Sequence, residues 1–209
     1  MSGIVAQNVG RPSGLIKAAA GGGGTWVEIK TLTSDGSDAT LSFVNGTSDV
    51  VLDSTYPIYC FKCINIHPET DRAAFEFNLS VDTGSNYNVT KTSSAFRTYH
   101  DEADSGAVLQ YAGEYDLAQG TGDQTFLFGI GNGNDESGSG FLYLFNPSST
   151  TFVKHYMLEG NVYEDSDYFV HYRIAGYGNT TSAVDAIQFK FDSGEIQGGK
   201  IKLFGIKDS

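Results

Sequence analysis

The stretch VDAIQFKFDSGEIQGGKIKLFGIK, residues 184–207, decides the fold. Ile187, Phe189 and Phe191 alternate with Gln188 and Lys190, and Ile201 and Leu203 alternate with Lys200 and Lys202. Successive side chains leave a β-strand on opposite faces, so a period of two predicts two half-buried strands. Asp192-Ser193-Gly194 and Gly198-Gly199 supply turn chemistry in the connection between them, glycine accepting positive φ without a steric penalty. The pattern places both strands in the middle of a sandwich, with Ile187, Phe189, Ile201 and Leu203 in its core and the earlier strands packed around them.

Working outward, the same alternation recurs. AFEFNLSV at 74–81 predicts Phe75, Phe77, Leu79 and Val81 on the core face, with Glu76, Asn78 and Ser80 facing out. IYCFKCINI at 58–66 is apolar on both faces except at Lys62 and Asn65, as expected of a strand covered on both sides, and His67-Pro68 ends it. TWVEIKTL, TLSFVNG, AFRTYH and AVLQYA read as further strands, as do TFVKHYML and YFVHYRIAGY. TFLFGI and GFLYLFN flank GNGNDESGS, which reads as the tip of a long hairpin. That makes about eleven or twelve strands and no helical period, so two antiparallel sheets in a jelly-roll-like sandwich are expected over residues 25–209.

Residues 1–24 differ from the rest. Ile4, Val5, Val9, Leu15 and Ile16 follow no strict alternation, Arg11-Pro12 interrupts them, and four glycines close the segment. The segment is too rich in glycine to build a core of its own. It is expected to be either a leader or an arm whose apolar residues dock on another subunit, with Gly21–Gly24 as the hinge.

The 209 residues suit one domain, and a chain of this length buries ~70% of its unfolded surface without staples. With 26 Gly, 14 Phe and 12 Tyr, the composition is that of aromatic strands joined by glycine-bearing turns. The net charge of −12 opposes binding to nucleic acid or to an anionic membrane, so neither partner is expected. No apolar run reaches the ~20 residues that span a bilayer, and the first residues lack the pattern of a secretory signal. Synthesis in the cytoplasm without conventional export is the expectation.

Catalysis finds little support. His67, His100, His155 and His171 fall in no HExxH or H-x-H spacing, and no G-x-S-x-G elbow occurs. Cys60 and Cys63 cannot close a zinc site alone, and three residues apart on a strand they lie ~10 Å apart on opposite faces, beyond disulfide reach. Free thiols are expected. Three acidic groups invite a calcium reading: Asp101, Glu102 and Asp104; Glu164, Asp165 and Asp167; and Asn132, Asn134, Asp135 and Glu136. None has the spacing of a calcium loop, and solvated turns are the simpler reading. Paired carboxylates for glycoside cleavage cannot be placed from sequence. Matches to N-x-S/T at Asn45, Asn78, Asn88 and Asn179 are what a chain rich in Asn, Ser and Thr produces by chance. Tyr56, Tyr87, Tyr111, Tyr115 and Tyr163, next to loops, are candidates for a platform that stacks on sugar rings. No cofactor and no catalytic or metal-binding residue is expected.

The opening MSGIVAQNVGRPSGLIKAA resembles the start shared by structural proteins of marine tailed bacteriophages, cyanophages included. DSTYPIYCFKCINIHPETD, GSNYNVTKTSSAFRTYHDEAD, FNPSSTTFVKHY and SGEIQGGKIKLFGIK fit the same pattern. The resemblance implies a non-enzymatic virion component, either decorating the capsid or attached to the tail. Other virion proteins or further copies of the chain, as in a trimer, would be its partners. The acidic charge favours the particle exterior, away from packaged DNA. A module that binds host-surface glycan is the alternative, and a glycan-cleaving enzyme a third.

Overall fold

The computed structural model describes residues 25–208. The expected arm residues Ile4, Val5, Val9, Leu15 and Ile16 lie outside them. The described chain is all-β, a jelly-roll-like sandwich of two antiparallel sheets. Its thirteen strands are β1 (Trp26–Thr33), β2 (Leu41–Val44), β3 (Ile58–Pro68), β4 (Ala73–Ser80), β5 (Lys91–Asp101), β6 (Ala107–Tyr111) and β7 (Ala118–Gly120), then β8 (Gln124–Ile130), β9 (Gly138–Phe145), β10 (Lys154–Tyr163), β11 (Tyr168–Gly178), β12 (Ala186–Phe191) and β13 (Ile196–Ile206). Nine strands form the larger sheet in the order β1-β13-β3-β9-β10-β11-β5-β6, with β7 also on β5; the smaller sheet runs β2-β12-β4-β8.

The two C-terminal strands are central, and they sit in different sheets. β12 lies between β2 and β4, whereas β13 lies between β1 and β3. Asp192-Ser193-Gly194 therefore carries the chain across the core. Gly198-Gly199, in contrast, lies inside β13, where the register against β3 shifts. Gly199 has φ +104, and a Cβ there would stand 2.5 Å from the Asn65 carbonyl oxygen, so the bulge admits only glycine. β8 and β9 likewise belong to different sheets, so GNGNDESGS is an arch across the sandwich and not a hairpin tip. Alternation of apolar residues sets which face points inward but is silent on which sheet a strand joins.

The core is aromatic. Phe189 is its hub, with ring centroids 5.5 Å from Phe61, 5.8 Å from Phe75, and 6.3 Å from both Phe43 and Phe77. Phe61 comes from the large sheet and the others from the small one, so these contacts weld the layers. Phe75, Phe77, Ile187, Phe189, Ile201 and Leu203 are all fully buried, as the alternation indicates. Polar atoms within the core are paired with one another: Tyr156 Oη donates to Gln124 Oε1 (2.9 Å), and Gln124 Nε2 donates to the Tyr115 carbonyl (2.8 Å). Strand β4 departs from its alternation at one end. Val81 falls beyond the strand and is exposed, while Asn78 and Ser80, expected to face out, are buried. Both have local hydrogen-bond partners there. Cys60 and Cys63 are free and buried; Cys63 joins the core cluster, and Cys60 lies on the opposite face beneath Tyr143. Burial pushes the Cys60 thiol up to about 12.

Candidate binding face

The outer face of the large sheet carries most of the exposed rings. Along β9, Leu142 and Leu144 point into the core, so Phe141 and Tyr143 point out. Along β11, Val170, Tyr172 and Ile174 point inward, which turns Phe169, His171 and Arg173 outward. Pairing across β3, β9, β10 and β11 then aligns Lys62, Phe141, Glu159 and Arg173 in one row. Ser139, Asn161 and His171 form the next.

Between these rows lies an open groove of about 700 Å³, walled by Phe141, Tyr143 and Phe169 and carrying Glu159, Asn161 and His171. Gly140 and Gly160 face each other on the underside of the groove, towards the small sheet. A Cβ on Gly140 would come within 3.1 Å of the Phe126 ring, and one on Gly160 within 2.8 Å of Leu127. The absence of side chains at these positions lets the large sheet approach β8 this closely. Both glycines also line the floor of the groove.

The polar groups are held in place. Glu159 accepts from His171 Nε2 (3.1 Å) on one oxygen and lies 3.9 Å from Arg173 Nε on the other. Phe141 and Tyr143 lie nearly parallel with centroids 6.5 Å apart. Beyond them the face continues to the edge of the sheet, where Trp26 meets Phe204 (5.8 Å) and Tyr143 (6.3 Å) edge to face. Lys62 Nζ is 5.1, 5.5 and 5.2 Å from the ring centroids of Trp26, Phe141 and Phe204, a cation over three aromatic faces. A neighbouring depression, lined by Tyr163, Glu102 and Phe169, extends the groove towards the loops.

The rings expected to form a platform do not gather. Tyr115 is buried, Tyr56 packs on Tyr59, Tyr87 lies by Gly84, and Tyr111 stands on β6 against Phe96; of the five only Tyr163 lines the groove's extension. The rings that do gather, Phe141, Tyr143 and Phe169, lie at alternate positions within strands. Their signal is a strand such as GFLYLFN whose supposedly solvent-facing positions are aromatic. The acidic loops close their own turns: Asp101 accepts from the backbone of Ser105 and Gly106, Asp167 from Tyr163 Oη, and Glu136 from the Gly133 amide. Among the described residues no group of three or more His, Cys, Asp or Glu is placed to hold a metal ion, and no helix is long and apolar enough to cross a membrane. Compared with known families, characterised proteins and solved structures, the chain finds no match.

Proposed function

We propose that this chain is a non-enzymatic binding protein of a phage virion exterior, which recognises host-surface glycan through the outer face of its nine-stranded sheet. The observation that carries the glycan reading is the open groove with Phe141, Tyr143 and Phe169 along its walls. Phe141 and Phe169 are 41% and 49% exposed, too much apolar surface to leave in water without a use. Flat ring faces suit the C–H faces of pyranoses, and Glu159, Asn161, His171 and Ser139 offer fixed donors and acceptors for hydroxyl groups. Glycoside cleavage calls for two carboxylates working across the scissile bond. Among the described residues Glu159 is the one carboxylate lining the main groove, and its two oxygens face His171 and Arg173. The virion setting rests on the sequence resemblance and on the acidic charge.

Glycan arrays probed with the wild-type chain, and with Phe141→Ala and Phe169→Ala, test the reading. Retention on a subset of glycans without product release is expected, each variant losing about two- to tenfold in affinity, as for a lost aromatic stack of ~0.5–1.5 kcal/mol. Failure of the wild type to bind any glycan would refute it. A second reading has its own observation: at the β6 end of the same face Phe96, Leu109 and Tyr111 are all exposed, Leu109 at 75%. That patch favours contact between copies, and concentration-dependent sedimentation abolished by Leu109→Asp would support it.

A further inference from the structure

Two lysines point into the sandwich at one end. Lys154, Gly178 and Lys91 occupy one row across β10, β11 and β5, and both lysines are fully buried. Lys154 Nζ donates to two backbone carbonyls, those of Phe152 (2.7 Å) and Thr180 (3.2 Å). Lys91 is placed differently. Its Nζ reaches the Val89 carbonyl (2.8 Å) and, at 2.5 Å, the side-chain carbonyl Oδ1 of Asn78, closer than the ~2.7–3.2 Å of an ordinary N–H···O contact. An ammonium has three protons to place, and here no carboxylate receives one directly.

The Asn78 carboxamide is itself set up for attack. The Leu79 amide donates to Oδ1 (2.9 Å), where negative charge would collect on addition to the carbonyl carbon. Nδ2 donates to Asp123 Oδ1 (3.0 Å) and to the Thr121 carbonyl (3.1 Å), so a carboxylate sits beside the leaving nitrogen. Asn78 is 2% exposed, and water is largely kept away. An amine, a donor to the carbonyl oxygen and a carboxylate at the leaving nitrogen thus surround one carboxamide.

We propose that Lys91 and Asn78 become joined by an isopeptide bond that the folded chain forms by itself. The Lys91 ammonium releases one proton to solvent, and the neutral amine attacks Cγ of Asn78. The Nζ–Cγ bond forms as the carbonyl pair moves to Oδ1, held by the Leu79 N–H. The proton shed by Nζ passes through the Asp123 carboxylate to Nδ2. The carbonyl then re-forms, the Cγ–Nδ2 bond breaks, and ammonia leaves. No electron is gained or lost overall, and no co-reactant is needed. Burial eases the first step, lowering the Lys91 ammonium to about 8. Because β4 belongs to the small sheet and β5 to the large one, the bond would tie the two layers covalently.

Mass spectrometry of the purified wild-type chain tests this without any mutation. The expected result is a chain lighter by one ammonia, and a proteolytic branched peptide that joins the segments bearing residues 78 and 91. Linear peptides with an unmodified Lys91 amine would overturn the proposal, as would an ammonia loss confined to Asn78, which marks a succinimide instead. Lys91→Arg should give the linear mass, and Asn78→Asp should form the same branched product by losing water. Asp123→Asn, at a half-buried position outside the core, should fold and cross-link at least tenfold more slowly. Cross-linking of that variant at the wild-type rate would remove Asp123 from the mechanism.

Discussion

The two faces of the nine-stranded sheet are both lined with large apolar side chains, yet they answer to different constraints. On the inner face most such residues are buried in the core, and Phe61 and Tyr156 interlock with Phe189 and Phe77 across the layers. On the outer face Phe141, Phe169 and Trp26 keep between 40% and 49% of their surface in solvent, supported only by neighbours on the same sheet. An apolar residue inside is explained by folding. Rings left half in water on β1, β9 and β11 are not, and the proposed binding face rests on that difference.

The sharpest way to break this comparison uses two adjacent residues. Leu142 is fully buried and Phe141 is not, although one peptide bond separates them. Leu142→Ala should destabilise the fold by about 2–5 kcal/mol, the range for emptying a buried leucine site. Phe141→Ala, which removes the larger side chain, should cost less than about 1 kcal/mol, as expected of an exposed position with one ring contact and one cation contact. Urea denaturation at unchanged m-value measures both. Equal losses would mean that the outer rings serve the core.

The outer face of the small sheet offers a second contrast, because it carries charge where the large sheet carries rings. Glu76 pairs in register with Lys190 on β12. Burial, with Asp123 and Asp192 nearby, raises its carboxyl from 4.5 to about 7. The folded state thus holds this proton more tightly than the unfolded state does. Below about pH 4.5 both states are protonated and nothing is lost; as pH rises to about 7 the unfolded chain ionises first, and stability falls. Glu76→Gln should remove that slope and melt higher than wild type at about pH 8, with little difference at about pH 4. Melting curves that stay parallel at both pH values would show that Glu76 ionises without penalty in the fold.

How far the sequence speaks for itself differs between these regions. In β4 and β12 strict alternation of Phe75, Phe77, Ile187 and Phe189 with polar residues is enough to place the core, because burial on one face is a local property. The sheet to which a strand belongs is not local. β8 and β9, or β12 and β13, are joined by turns that read equally well as hairpins, and only packing of the whole sandwich decides that they cross it. The groove is less legible still. It depends on four strands meeting in one register, which no window along the chain can show. Lys91 and Asn78 are thirteen residues apart, on either side of a polar connection that reads simply as a loop. Only the fold brings amine and carboxamide together.

The smallest effect comes from the lysine that lies over the outer rings. Lys62 pairs in register with Phe141 on one side and Lys202 on the other. Its Nζ lies over three aromatic faces, whereas Lys202 pairs with Glu28 at 3.0 Å. Lys62→Met keeps the apolar stem and removes only the charge, so the loss should be that of an exposed cation over rings, about 0.5–1 kcal/mol. Lys202→Met removes an exposed ion pair and should cost no more than that, with the loss shrinking as salt is added. The chain has one tryptophan, so fluorescence reports on Trp26 alone. Loss of the ammonium 5.1 Å from its ring should shift the emission in Lys62→Met and leave it in place in Lys202→Met. If both variants leave emission and stability unchanged, Lys62 is a solvated lysine that happens to lie near the rings. Strand geometry alone would then hold Trp26, Phe141 and Phe204 apart.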